Sequence, residues 1–109
     1  GPAAAAPALD PGETRVFSVG TRCGLTSSVV RALAVNQTVT QPAATGDLVL
    51  YRGDVTTIPV ASSVSFTAGK TRANNGILEL SRVGDGTFRV HNRSTGTVHF
   101  ILDVSGVFN

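Results

Sequence analysis

The sequence contains no tryptophan and no methionine, and only one cysteine, one tyrosine and one lysine in 109 residues. Each scarcity excludes something. With Cys23 alone, no disulfide can close within the chain, and a lone thiol is expected to be a small buried hydrophobe rather than a nucleophile. Charged residues make up only 15%, so Ser, Thr, Asn, Gln and Gly must cover most of the surface, a coat that suits extracellular modules and leaves room for an apolar contact face. The cations Arg15, Arg22, Arg31, Arg52, Lys70, Arg72, Arg82, Arg89 and Arg93 form no run and are not interleaved with aromatic rings, which argues against a nucleic-acid groove. No apolar stretch approaches the roughly 20 residues of a membrane-spanning helix.

Catalytic patterns are equally sparse. No Ser-His-Asp or Cys-His arrangement is supported by spacing, and seven acidic residues in all offer no basis for a glycosidase pair. The chain reads as non-catalytic, with no cofactor and no metal. Its length is that of one domain. Gly1-Pro2 looks like a protease scar and Ala3-Ala4-Ala5-Ala6-Pro7-Ala8 like a linker, so residues 1–8 are set apart from a single module over residues 9–109.

What is present is period-two alternation with frequent turn signals. Asp10-Pro11-Gly12-Glu13 is a turn in which Pro fixes φ and Gly supplies freedom, opening a strand through Arg15, Val16, Phe17 and Val19. From Val29 to Thr40, the row Leu33, Val35, Gln37 and Val39 alternates with Ala32, Ala34, Asn36, Thr38 and Thr40, which favours a strand over an Ala-rich helix. Gln41-Pro42 stops it, Leu48 to Tyr51 is a short apolar strand, and Pro59 demotes Val55 to Val60 to an edge or loop. Short strands follow at Ser63 to Phe66 and Arg72 to Ser81, then a reversal at Gly84-Asp85-Gly86. The spacing predicts a last hairpin in which a Ser94-Thr95-Gly96 loop pairs Val90 with Phe100 and Phe88 with Leu102, sets His91 opposite His99, and needs φ > 0 at Gly96. The fold expected is all-β, an antiparallel β-sandwich of about seven or eight strands in jelly-roll or Greek-key order.

Three local signals invite chemistry. A His91–His99 pair would supply two metal ligands, too few for a site, with Arg89 and Arg93 repelling a cation. Arg52-Gly53-Asp54 is the tripeptide of integrin ligands, but a glycine flanked by opposite charges is first of all an ordinary hairpin tip. Asn36-Gln37-Thr38 and Asn92-Arg93-Ser94 match the glycan-acceptor pattern. Lacking tryptophan, the chain has no platform for crystalline cellulose, since five of its six rings are Phe at core-like positions. A glycan site would instead lean on Tyr51 with Arg52, Asp54, Asn74, Asn75, His91 and Arg93 as hydrogen-bonding groups in loops or a shallow groove.

The order Arg31 to Thr40, Gly46-Asp47-Leu48-Val49-Leu50-Tyr51, Ala68-Gly69-Lys70-Thr71-Arg72-Ala73-Asn74, Gly84-Asp85-Gly86 and Asp103-Val104-Ser105-Gly106-Val107-Phe108 resembles, over about residues 12–108, a β-sandwich accessory repeat of secreted multidomain proteins and hydrolases from actinobacteria and related environmental bacteria. Such repeats often carry a second Cys after the tyrosine, where this chain has Arg52. The resemblance implies secretion and an accessory role, and transfers no catalytic residue. The functional expectation is attachment of a larger protein to polysaccharide or cell envelope, with a homo-oligomerisation or spacer module as the alternative.

Overall fold

A computed structural model describes residues 8–18, 31–60, 63–82 and 86–108. Seven strands occur among them: β1 (Thr14–Ser18), β2 (Ala32–Thr40), β3 (Gly46–Arg52), β4 (Val64–Phe66), β5 (Arg72–Glu79), β6 (Thr87–Asn92) and β7 (His99–Phe108). They form two antiparallel sheets, β1-β6-β3-β4 and β5-β2-β7, packed as a β-sandwich. The chain changes sheet between β2 and β3, and β5 and β6 return to pair with those two strands, a Greek-key pattern of connection. Among the described residues no helix is long and apolar enough to cross a membrane.

The inward rows are those the alternation implies. Leu33, Val35 and Val39 of β2, Leu78 of β5, and Phe100 and Leu102 of β7 meet Leu48 of β3, Val64 and Phe66 of β4, and Phe88 and Val90 of β6 in one buried cluster. Gln37 stays in its row and is buried with it. The segment Val55 to Val60 forms no strand, as Pro59 requires. Cys23, Val19, Val29 and the Gly84-Asp85 part of the predicted reversal lie outside the described residues.

The predicted last hairpin is wrong. β6 pairs with β1 and β3, whereas β7 pairs with β2 in the other sheet. His91 therefore faces Thr14 and Val49, His99 faces Thr40, and the two imidazoles do not form a cross-strand pair. The rows Phe88/Val90 and Phe100/Leu102 do meet, but across the core. Alternation places apolar against apolar in both arrangements, so it cannot distinguish in-plane pairing from packing between sheets. The crossing is fixed locally. Arg93 N donates to Asp47 O at 2.9 Å, Ala43 N donates to Thr97 O at 2.9 Å, and Val98 exchanges backbone bonds with Leu9.

Gly96 is not among the positive-φ glycines, which are Gly12, Gly69 and Gly86. Its requirement is space: a Cβ there would lie 2.9 Å from Ala43 Cβ and 2.9 Å from Ala44 N. Because backbone must yield, Gly96→Ala is expected to cost about 2 kcal/mol, read from the midpoint of urea unfolding.

The Asp10-Pro11-Gly12-Glu13 turn forms as expected, with Gly12 at φ +72° and Glu13 N donating to Asp10 O at 3.0 Å. The Glu13 carboxylate then receives Arg15 Nε at 2.8 Å, Arg15 Nη2 at 3.0 Å and Asp10 N at 2.8 Å. The Arg15 hydrogen bonds, followed by the Asp10 amide, hold its pKa below the usual 4.5. A depressed carboxylate contributes stability that is present above its unfolded pKa and lost as pH falls through the folded value. With both side chains about a quarter exposed, the contribution is less than about 0.5 kcal/mol. Glu13→Gln should accordingly lower stability slightly at neutral pH and flatten the wild-type decline below about pH 4.5.

Candidate functional site: an arginine-lined end cleft

Two hollows open at the end of the sandwich where β2 begins and β3 and β5 finish. One, of about 360 Å³, is lined by Arg31, Arg52, Glu79, Ser81 and Arg82 among others. Its neighbour, of about 300 Å³, is lined by Tyr51, Val55, Pro59, Ile77 and Leu78, and shares Arg52 and Glu79 with the first. Together they form a cleft with cations toward one end and apolar surface toward the other.

Strand parity explains why arginines gather there. In β2 the inward row Val35 and Leu33 continues backward to Arg31, and in β3 the row Leu48 and Leu50 continues forward to Arg52. Arg82 stands in the same relation to Leu78 and the buried Leu80. Each apolar row thus reaches the end of the core and is followed two residues on by an arginine, whose stem can cover apolar atoms while its guanidinium reaches water. Backbone bonds hold the three positions together: Thr87 O accepts both Gly53 N at 3.0 Å and Ser81 N at 2.9 Å, while Arg31 O accepts Leu80 N at 2.9 Å. The cleft's arginines are far apart in sequence, so dispersal along the chain did not reveal the cluster, whereas parity with the core rows does.

The residues anticipated for a glycan site fall in separate places. Arg52 and Asp54 lie at the cleft, with Arg52 Nε 3.4 Å from Asp54 Oδ1. The turn around them is closed by Val55 N donating to Arg52 O at 3.1 Å and Arg89 Nε donating to Gly53 O at 2.9 Å. The two charges of the Arg52-Gly53-Asp54 tripeptide therefore engage each other. Tyr51 lines the second hollow but is only 7% exposed, so its ring presents no open face for stacking on a sugar. His91 lies on the outer face of the four-stranded sheet, its Nδ1 at 2.7 Å from Thr14 Oγ1. Arg93 donates to Asp47 Oδ2 from Nε at 2.9 Å and Nη2 at 2.5 Å. Asn74 donates to Ser63 O at 2.9 Å beside a third hollow between β4 and β5. Asn75 is exposed on β5, opposite Asn36.

No family model, curated protein or solved structure matches this chain. The cleft must be understood from its own chemistry. Among the described residues no three His, Cys, Asp or Glu side chains gather to hold a metal ion. What the cleft does provide is hydrogen-bond donors of fixed positive charge beside an apolar wall, an arrangement suited to binding. Sequence reading missed Arg31 and Arg82, and the Asn92 of the Asn92-Arg93-Ser94 pattern, from which it drew no function, is fully buried.

Proposed function

We propose that the chain is a non-catalytic accessory module of a secreted bacterial protein, attaching its parent to polysaccharide or cell envelope. The end cleft carries this reading. An oligosaccharide presents hydroxyl oxygens that accept hydrogen bonds and C–H faces that rest on apolar surface. Arg31, Arg52 and Arg82 offer the donors, and Val55, Pro59 and Ile77 offer the surface. The charge-poor coat and the resemblance to accessory repeats of secreted proteins point the same way. The test is retention of the purified domain on cellulose, xylan, chitin, β-glucan and bacterial cell wall, with soluble oligosaccharides as competitors. Selective retention that a competitor abolishes is expected. Failure on every one of these polymers and on soluble acidic polysaccharides as well would reject the reading.

A second reading, self-association, is favoured by one observation. On the outer face of β5-β2-β7, Ile77 is 63%, Ile101 37% and Phe108 48% exposed, beside the small residues Ala32, Ala34 and Gly106. Such a face is flat enough for a second copy. Light-scattering mass separates the two readings: a dimer that Phe108→Asp dissociates supports self-association, and a monomer at high protein concentration removes it.

A further inference from the structure

Three guanidinium groups around one hollow would ordinarily be neutralised by neighbouring carboxylates, and among the described residues the neutralisation is incomplete. Glu79 is the carboxylate that lines the hollow, and Asp54 lies two residues after Arg52 in the chain. Asp54 is engaged with Arg52. Among the described residues neither Arg31 nor Arg82 takes part in an ion pair, and both are exposed at the surface. Among the described residues three cations thus meet one lining carboxylate, Glu79, with Asp54 taken up by Arg52, and the excess charge falls on Arg31 and Arg82.

A recess with apolar walls concentrates the field of such charges. The planar guanidinium fork matches the oxygen geometry of a carboxylate or sulfate, to which it can donate two parallel hydrogen bonds. Neutral sugars do not need this excess of positive charge, because hydroxyl groups are served as well by amides and by Ser or Thr. The adjoining hollow, lined by Val55, Pro59 and Ile77, continues the recess and gives room for a chain of linked residues rather than for a lone ion.

We propose that the cleft selects acidic polysaccharide, with Arg31 and Arg82 binding an anionic substituent while Arg52, oriented by Asp54, stands at the junction with the apolar wall. This rests on the polysaccharide reading above and names the class of polymer. The shared chemistry is an anionic oxygen group on a sugar, and carboxylate and sulfate are its two sources.

Calorimetric titration of the whole chain at fixed ionic strength tests it, with polygalacturonate as the carboxylate polymer, dextran sulfate as the sulfate polymer, and dextran and xylan as neutral ones. Binding to an acidic polymer is expected, and the stronger of the two identifies the substituent. Arg31→Ala and Arg82→Ala should each weaken it at least about fivefold, in keeping with loss of a charge-assisted hydrogen bond. Arg72→Ala, on β5 and outside this cleft, should change it less than about twofold, as expected for a distant exposed charge screened by salt. Glu79→Gln removes a local negative charge and should tighten binding, which separates the proposal from simple damage to the fold. Binding to neutral polymers alone would overturn the proposal and leave the polysaccharide reading standing. Binding to none of the four here, together with failure on the insoluble panel, would overturn both. Acidic-polymer binding that survives loss of Arg31 and Arg82 would overturn the assignment to this cleft.

Discussion

Phe88→Ala is expected to destabilise the fold by about 4 kcal/mol, near the upper part of the range for emptying a large buried site. Phe88 is 2% exposed, lies in β6 between β1 and β3, and stacks on Phe17 with ring centroids 5.3 Å apart and planes 16° from parallel. Phe17 in turn meets Phe100 of the other sheet at 6.3 Å, so the three rings join both layers. Truncation removes the ring, its stacking and the support that Phe17 receives. Phe88→Leu keeps most of the volume and should cost about 1.5 kcal/mol. Urea unfolding followed by circular dichroism measures both variants. A loss below about 1 kcal/mol for Phe88→Ala would mean that the two sheets do not close over this ring.

Asn92→Leu should cost roughly 2–3 kcal/mol, for a different physical reason. The side chain is fully buried at the end of β6. Its Nδ2 donates to Asp10 O at 3.0 Å, Gly96 O at 2.9 Å and Leu9 O at 3.3 Å. Its Oδ1 accepts Ser94 N at 3.1 Å and Ser94 Oγ at 2.7 Å. One amide thereby ties the N-terminal segment to the crossing between the two sheets. Leucine of similar size would strip one hydrogen bond from each of those carbonyls, which keep Glu13 N, Val98 N and Ser94 Oγ as donors, and would leave the Ser94 amide without its acceptor. A buried polar group that loses its partner carries its full desolvation cost. Ser94→Ala removes a single member of the network and should cost about 1 kcal/mol. Near-equal losses for the two variants would contradict the role assigned to Asn92.

These two residues also mark where the sequence was transparent and where it was not. Phe88 belongs to an apolar row of period two, and such rows place β2, β6 and β7 and their inward faces correctly from the sequence, whereas the unbroken apolar run Leu48 to Tyr51 places β3 as a strand without marking its inward face. Even the polar Gln37 is placed inward by its neighbours Val35 and Val39. The pairing of those strands was not legible, because the Phe88/Val90 and Phe100/Leu102 rows suit a hairpin and a facing pair of sheets equally well. What decides between them is the crossing after Asn92. Its anchors, Leu9, Asp47 and Ala43, lie some 45 to 85 residues away in the chain, beyond the reach of local pattern. Gly96 looked like a turn glycine because turn glycines and close-approach glycines share one letter; only the position of Ala43 and Ala44 distinguishes them.

The candidate site was legible in part. Arg52 and Asp54 stand at the cleft, and Tyr51 lines it from a buried position. Asn74, Asn75, His91 and Arg93 are polar and near the surface, but strand pairing distributes them over other faces. Arg31 and Arg82 escaped notice because charge was surveyed along the chain rather than along the inward rows. An arginine two residues beyond the last buried aliphatic of a strand is a usable sign that the row has reached the end of the core. Three such arginines at one end of a sandwich mark that end as the place to look for an anion.

The most direct test of the account is to follow backbone amide and arginine Nε resonances of the ¹⁵N-labelled domain during titration with the polymer fragment it retains most strongly. Shifts concentrated at Arg31, Arg52, Val55, Ile77 and the Glu79–Arg82 stretch, with Ile101 and Phe108 on the outer face of β5-β2-β7 unmoved, are the result predicted for a binding cleft at the end of the sandwich. Shifts confined to Ile101 and Phe108 on that outer face, or none in the presence of every polymer, would contradict it.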